Sequence, residues 1–241
     1  GKIKPKFESS NATRLYGLRA NLINAGQAAG QKNDQATALK YFGMYVETSV
    51  NPLFKSIDRT KTPDQYLGEV ARVASVYAFQ SKQMDLANKY VDVAMKDTAV
   101  YKDALNLKMY LMQQNLKSKA DSLQYVETLK GLYAKDSKND QIFATIVNMY
   151  GSLKMTAEQD KVIADKLAAE PDNSIAWALK GQNFMNASKS EQAVDCFKKA
   201  IVKDDKNVVV LTYLGFCLNA QAGAINGNKA DQQRLYKESE G

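Results

Sequence analysis

The segment AWALKGQNFMNASKSEQAVDCFKKAI, residues 176–201, decides the fold. Its bulky residues Trp177, Phe184 and Phe197 are interleaved with the small residues Gly181 and Ala193, and related residues return 34 positions away. Phe143, Trp177 and Leu211 form one such series, Gly181 and Gly215 a second, and Tyr150, Phe184 and Leu218 a third. Helical spacing with this period describes a helix–turn–helix unit that cannot bury its apolar face alone, so units must stack. The small residues let the two helices of a hairpin approach. The aromatic residues are expected to fill the space between that hairpin and its neighbours.

Outward from this segment the chain reads as helix throughout. Its only prolines are Pro5, Pro52, Pro63 and Pro171, and between them run long stretches rich in Ala, Leu, Lys, Gln and Met, all good helix formers. Thr62-Pro63-Asp64-Gln65 reads as an N-cap, a first-turn proline, an acid at the positive helix end and a capping-box glutamine. Thr156 with Gln159, and Ser188 with Glu191, read as further capping boxes. The expectation is about twelve helices joined by short turns.

Trp177-x2-Lys180-Gly181-x2-Phe184, followed by Ala193-x3-Phe197 and Ala200, resembles the tetratricopeptide repeat family, whose unit is W-x2-L-G-x2-Y, then A-x3-F, then P. Lys180 stands where leucine is expected and Asp205 where proline is. The unit before it keeps Phe143, Ile146, Tyr150 and Pro171 but has Gln159 at the small position. Leu22-x2-Ala25-Gly26 with Ala38-x3-Phe42 makes a first unit, and Ala71, Ala74, Ser75 with Ala87-x3-Val91-x2-Ala94 a second. NPLFKSIDRTKTPD (51–64) is an insertion between them. The resemblance implies an all-α, right-handed α-solenoid of about six stacked units, near 12–51, 63–98, 99–138, 139–173, 174–207 and 208–241. These form a single domain, 9–241, after a disordered or extended segment 1–8. The last unit loses register at AGAINGNKAD and ends in the polar helix ADQQRLYKESE, as a capping repeat does.

Composition narrows the chemistry. There is no histidine, which removes the commonest general base and the commonest zinc ligand. No catalytic residue, metal ligand or cofactor is expected. Cys196 and Cys217 make no CxxC pair; they fall on successive helices, where two buried free thiols are the cheaper reading than a disulfide. Asp204 and Asp205 beside Lys203 and Lys206 read as a solvated turn. The aromatic residues sit at packing positions, so a base-stacking platform is the weaker reading. An α/α toroid that hydrolyses glycosides would need paired carboxylates in a closed ring, which the open array disfavours. The net charge is +7, of which Lys2, Lys4 and Lys6 supply three; elsewhere lysine alternates with acid, as on a solvated surface. The longest apolar stretch, Val208 to Leu218, is too short to cross a bilayer.

The resemblance also implies where a partner would lie. In such arrays the first helix of each hairpin lines a concave groove, and the matching positions here are Arg72, Val76 and Phe79, then Ala144, Asn148 and Gly151. Ala178, Gln182 and Met185, then Thr212, Phe216 and Asn219, complete the set. Ile23 and Gln27 replace the lysine and asparagine with which some family members grip a peptide carboxylate. The expected function is a non-enzymatic scaffold or adaptor that binds a protein or peptide segment; the alternative is a nucleic-acid-binding α-repeat using scattered basic residues. Gly1 in place of methionine reads as a cloning scar, with Lys2 the first native residue after a removed leader; a basic, proline-containing start is also that of an ordinary disordered terminus. The expected location is extracytoplasmic, in a bacterial periplasm or cell envelope, with membrane association through that leader, and otherwise cytoplasmic.

Overall fold

The computed structural model describes residues 8–225 and 228–240. Among them are thirteen α-helices, one 3-10 helix and no strand. Two compact units divide the chain, residues 1–116 and 117–241. The first holds α1 (Glu8–Leu18), α2 (Ala20–Gln31), α3 (Gln35–Thr48), the 3-10 helix Pro52–Phe54, α4 (Leu67–Gln80), α5 (Met84–Ala94) and α6 (Tyr101–Gln113). The second holds α7 (Lys119–Tyr133), α8 (Asp140–Ser152), α9 (Thr156–Ala169), α10 (Ser174–Asn186), α11 (Ser190–Ile201), α12 (Val208–Ala224) and α13 (Lys229–Glu240). Antiparallel hairpins α2–α3 and α4–α5 stack in the first unit, with α6 against α4 and α5. Hairpins α8–α9, α10–α11 and α12–α13 stack in the second, with α7 against α8. The repeat expected near 99–138 thus supplies α6 to one unit and α7 to the other. Of the N-terminal segment 1–8, only Glu8 lies within the described residues.

Four hairpins share one crossing, made between residues twelve apart. In α2–α3 it is Gly26 and Ala38, and in α10–α11 Gly181 and Ala193. A Cβ on Gly26 would lie 2.7 Å from the Phe42 ring, and one on Gly181 2.7 Å from Phe197, so both positions require glycine. In α4–α5 the buried Ser75 hydroxyl donates to the Ala87 carbonyl at 2.8 Å. In α8–α9 the Gln159 side-chain amide donates to the Val147 carbonyl at 3.2 Å. Where the side chain is not small, its polar group finds a backbone partner at the contact, which burial demands.

The hairpin turns repeat with equal fidelity. Seven residues after each first-helix crossing position stand Asn33, Lys82, Lys154 and Ser188, with φ of 59, 61, 57 and 58°. The N–H of the next residue reaches back five positions, from Asp34 to Ala29, Gln83 to Ala78, Met155 to Tyr150 and Lys189 to Phe184. This is the left-handed C-terminal stop of a helix, made here without glycine. It overturns two expected capping boxes. Ser188 closes α10 rather than opening α11, and Thr156 is the first helical residue of α9, behind Met155.

The starts of first helices in the second unit repeat too. Asn139, Asn173 and Asn207, spaced by 34, accept from the N–H of Ile142, Ala176 and Val210. Each also donates to an acid three residues earlier, Asp136, Glu170 or Asp204. The helix therefore begins on an asparagine cap already braced by its own turn.

The insertion is not a free loop. Arg19, at the break between α1 and α2, is 5% exposed. It donates to Asp64 Oδ2 at 2.7 Å, to the Tyr45 carbonyl at 2.6 Å and to Thr48 Oγ1 at 3.1 Å, with its guanidinium over the rings of Tyr16, Tyr45 and Phe54. The Tyr45 hydroxyl donates to Asp64 at 2.5 Å, and Arg59 bonds Tyr16 and the Ser49 carbonyl. Burial, then the hydrogen bond to Asp64, push the Tyr45 phenol above its ordinary range. Asp64 is thus drawn into a buried ion pair instead of capping a helix; α4 starts at Leu67.

The core follows the repeat, with one correction. Phe143 and Phe197 are fully buried, but Trp177 and Phe184 are only half-buried and Leu211 is exposed. The Trp177 indole N–H donates to the Pro171 carbonyl at 2.7 Å, and Lys199 and Lys180 lie 4.2 and 5.2 Å from the ring. The ring packs in part on the core of the α10–α12 helices and carries two lysine ammonium groups. The polar last helix α13 buries Leu235 against the core of the α10–α12 helices.

Candidate functional site

In the first unit the first helices α2 and α4 enclose a cleft of about 710 Å³. Ile23, Gln27 and Gln31 line one side, and Tyr66, Glu69 and Val73 the other, over a floor where Phe42 stacks on Tyr77 at 5.7 Å. Gly30 makes this possible: a Cβ there would meet the Tyr77 hydroxyl at 2.5 Å. A second cleft, of about 350 Å³, shares Gly30, Val73 and Tyr77 and is lined by Arg72, Val76 and Gln80. Arg72 and Glu69 form a bidentate pair, at 2.9 and 2.6 Å, which raises the guanidinium further above its ordinary range. One cleft therefore presents the carboxylate and the other the guanidinium. Around this pair the lining is amide and apolar, suited to an extended backbone with one seated side chain.

Arg72 and Val76, two of the positions expected in a groove, line the smaller cleft. Phe79 is half-buried and meets Tyr110 of α6 edge-on at 5.5 Å, so it packs one helix on the next. Sequence reasoning missed Gly30, Tyr66, Glu69 and Tyr77. The signal available was Gly30 itself, a second glycine four residues after Gly26 in the same helix.

The second unit segregates its charge. Helices α8, α10 and α12 hold only Asp140 and Lys180 between them. Their partners α9, α11 and α13 are densely charged with both signs, from Glu158 and Asp160 through Lys198 and Lys199 to Arg234 and Lys237. On these sparsely charged helices Asn148, Thr212 and Phe216 are exposed, while Gln182 and Met185 are half-buried. The Thr212 hydroxyl donates to its own helix at Val208. Met185 packs on the core beneath, and Phe216 is 62% exposed.

Neither unit assembles acid–base chemistry. Lys166 has a side chain 2% exposed, held by Glu170 at 2.9 Å, Asp140 at 3.0 Å and the Ser137 carbonyl at 3.2 Å. Burial pulls its ammonium down, but hydrogen bonds to Glu170, Asp140 and Tyr133 outweigh this and hold it above the lysine range. As a cation it ties the end of α9 to the start of α8, and Asn173 joins the same two carboxylates to the start of α10. Burial likewise pushes the free thiols of Cys196 and Cys217 up, away from reactivity. Among the described residues no three His, Cys, Asp or Glu side chains group as metal ligands, and no helix is long and apolar enough to cross a membrane.

Crossing, turn and cap together define a helical-repeat protein built on 34-residue hairpins. No protein-family model and no curated protein matches the chain. Among solved structures it is similar to MamA from Desulfovibrio magneticus RS-1, at 15% identity over 71% of this chain and 90% of that one, with a TM-score of 0.44. It is also similar to a thermophilic TPR protein of Thermus thermophilus, at 14% identity over 83% of this chain and 98% of that one, TM-score 0.45. A TPR repeats protein from Bacteroides fragilis matches at 16% identity over 92% of this chain and 84% of that one, TM-score 0.33.

Proposed function

We propose that this protein is a non-enzymatic scaffold that holds an extended segment of another protein along its first helices, with the clefts between α2 and α4 as the principal seat. The observation that carries this reading is the pair of clefts that share Gly30, Val73 and Tyr77, with Arg72 and Val76 in the lining of the smaller one. Apolar floor and amide walls favour a polypeptide over a phosphate backbone, for which the clefts offer only a guanidinium already paired to Glu69. Within the second unit, Asn148, Gln182 and Met185 on the first helices offer amide and apolar chemistry of the same kind.

The test is quantitative capture from the native host on immobilised protein, comparing wild type with Tyr66→Ala and Glu69→Ala. The partner should be lost by at least about tenfold with both variants, while Lys198→Ala on α11 captures it normally. Capture that ignores the cleft variants, and instead falls steeply with salt and with loss of lysines on second helices, would overturn the reading in favour of a polyanion.

A further inference from the structure

Exposed apolar side chains concentrate on α12, where Val208, Val209 and Phe216 are 73, 59 and 62% exposed. The helix has seventeen residues and not one charge. Val209, Thr212, Phe216, Ala220 and Gly223 are all exposed. At 100° per residue they fall within an arc of about 80°, so they form a single straight seam. Val210, Leu214, Cys217 and Leu218 fill the opposite side and are buried in the chain's own core.

The seam is symmetric about Phe216, with members four and seven residues to either side. We propose that two copies of the chain associate through antiparallel α12 helices, about a two-fold axis at Phe216. That pairing sets Val209 of each copy against Gly223 of the other and Thr212 against Ala220, large against small at every step, while the two Phe216 rings meet on the axis. A two-fold interface requires this reciprocity, and a seven-residue repeat is what keeps two helices in register. Gly223 supplies an independent argument. A glycine inside a helix weakens it relative to alanine, yet a Cβ there would meet nothing within 4 Å. Among the described residues nothing crowds a side chain at 223, as at Gly17 and Gly131, so the position is open to the opposing Val209.

Charge is no obstacle to this occupant. The second unit, residues 117–241, holds 17 Lys and Arg against 16 Asp and Glu, a net of +1. The α12 seam itself carries no charge and lies beside Ala178 and Gln182 of α10, so two copies meet on it without burying a charge.

Sedimentation equilibrium on the full chain, from about 1 to 100 μM, tests this. The mass should rise to twice that of one chain. Phe216→Asp should weaken association at least about tenfold with an unchanged thermal midpoint, because the side chain is exposed in the monomer. Val209→Gly and Gly223→Val should each weaken it, and the double variant should restore it, since the exchange preserves the large-to-small pairing. A single-chain mass throughout the range overturns the proposal. So does a doubled mass insensitive to Phe216→Asp, or a double variant that fails to recover. A monomer whose Phe216 instead mediates binding to phosphatidylcholine vesicles, or to a host protein, overturns it as well and identifies the seam's other occupant.

Discussion

Hairpins α8–α9 and α10–α11 are neighbours in one unit, alike in length, turn and cap, and opposite in how their helices cross. At α10–α11 the crossing pair is Gly181 and Ala193, and the Phe197 ring fills the space that a side chain on Gly181 would need. At α8–α9 it is Val147 and Gln159, with the glutamine amide bonded to the valine carbonyl. The repeat is therefore defined by the place of the crossing and by the stop seven residues later, not by the residue types at either. A close crossing can be emptied of side chain, or filled with one whose polar end is satisfied by the facing backbone.

The largest effect should come from removing what fills the empty crossing. Phe197→Ala takes away a fully buried ring beneath Gly181 and should cost about 3–5 kcal/mol. Trp177→Ala, at the position the sequence presents as the signature aromatic, should cost only about 1–2 kcal/mol, because the indole is half-buried and faces the Lys199 ammonium group. Denaturant unfolding of both variants ranks them; a Trp177 loss equal to that of Phe197 would mean that the repeat's core centres on the indole.

Exchanging the two solutions comes next. Gly181→Val puts a side chain where the Phe197 ring lies 2.7 Å away and should destabilise by about 2–3 kcal/mol. Gln159→Ala in the neighbouring hairpin loses one hydrogen bond and leaves the Val147 carbonyl within its helix, for about 1 kcal/mol. Equal losses in urea would show that the hairpins do not cross differently.

The same comparison explains what was legible in the sequence. The period and the small-residue crossing were, because Gly26, Gly181, Ala38 and Ala193 are irreplaceable by anything bulky. The helix starts were misread because a capping box is a local pattern, whereas Ser188 is held in a left-handed turn by the hairpin and Asp64 is drawn off by Arg19, 45 residues away in the chain. The asparagine caps at 139, 173 and 207 repeat in plain view, in a chemistry other than the Ser/Thr box. That Arg72 and Val76 leave the core was readable from helix register. The cleft they line was not, since it depends on the Tyr77 hydroxyl passing over Gly30 on another helix.

A smaller effect tests what the hairpins share. Lys154 and Ser188 occupy the left-handed stop of α8 and α10, a conformation that a Cβ disfavours. Lys154→Gly and Ser188→Gly should each stabilise by about 0.5–1 kcal/mol, and by similar amounts, because the turn is common to both. Thermal midpoints should rise in both; a gain in only one would separate the turns as clearly as the crossings.

The smallest effect concerns pH, and it belongs to one hairpin only. The Glu170 carboxyl is held below the usual glutamate range first by the Lys166 ammonium and then by the Asn173 amide. A carboxyl bound more weakly to its proton in the folded state adds stability that is complete above its ordinary value of 4.5 and is lost as pH falls through the folded one. Thirty-four residues on, Ala200 and Asp204 stand where Lys166 and Glu170 do, so the α10–α11 hairpin has no ammonium at this point. Glu170→Gln should therefore lower stability near pH 7 and flatten its decline towards about pH 3. Because the Glu170 side chain is 37% exposed, screening keeps the difference small and added salt shrinks it further. Trp177 reports on it directly: its indole is bonded to Pro171, next to Glu170, and it is the chain's single tryptophan. An acid-induced change in its fluorescence that survives Glu170→Gln unchanged would place the acid-sensitive contact elsewhere in the unit.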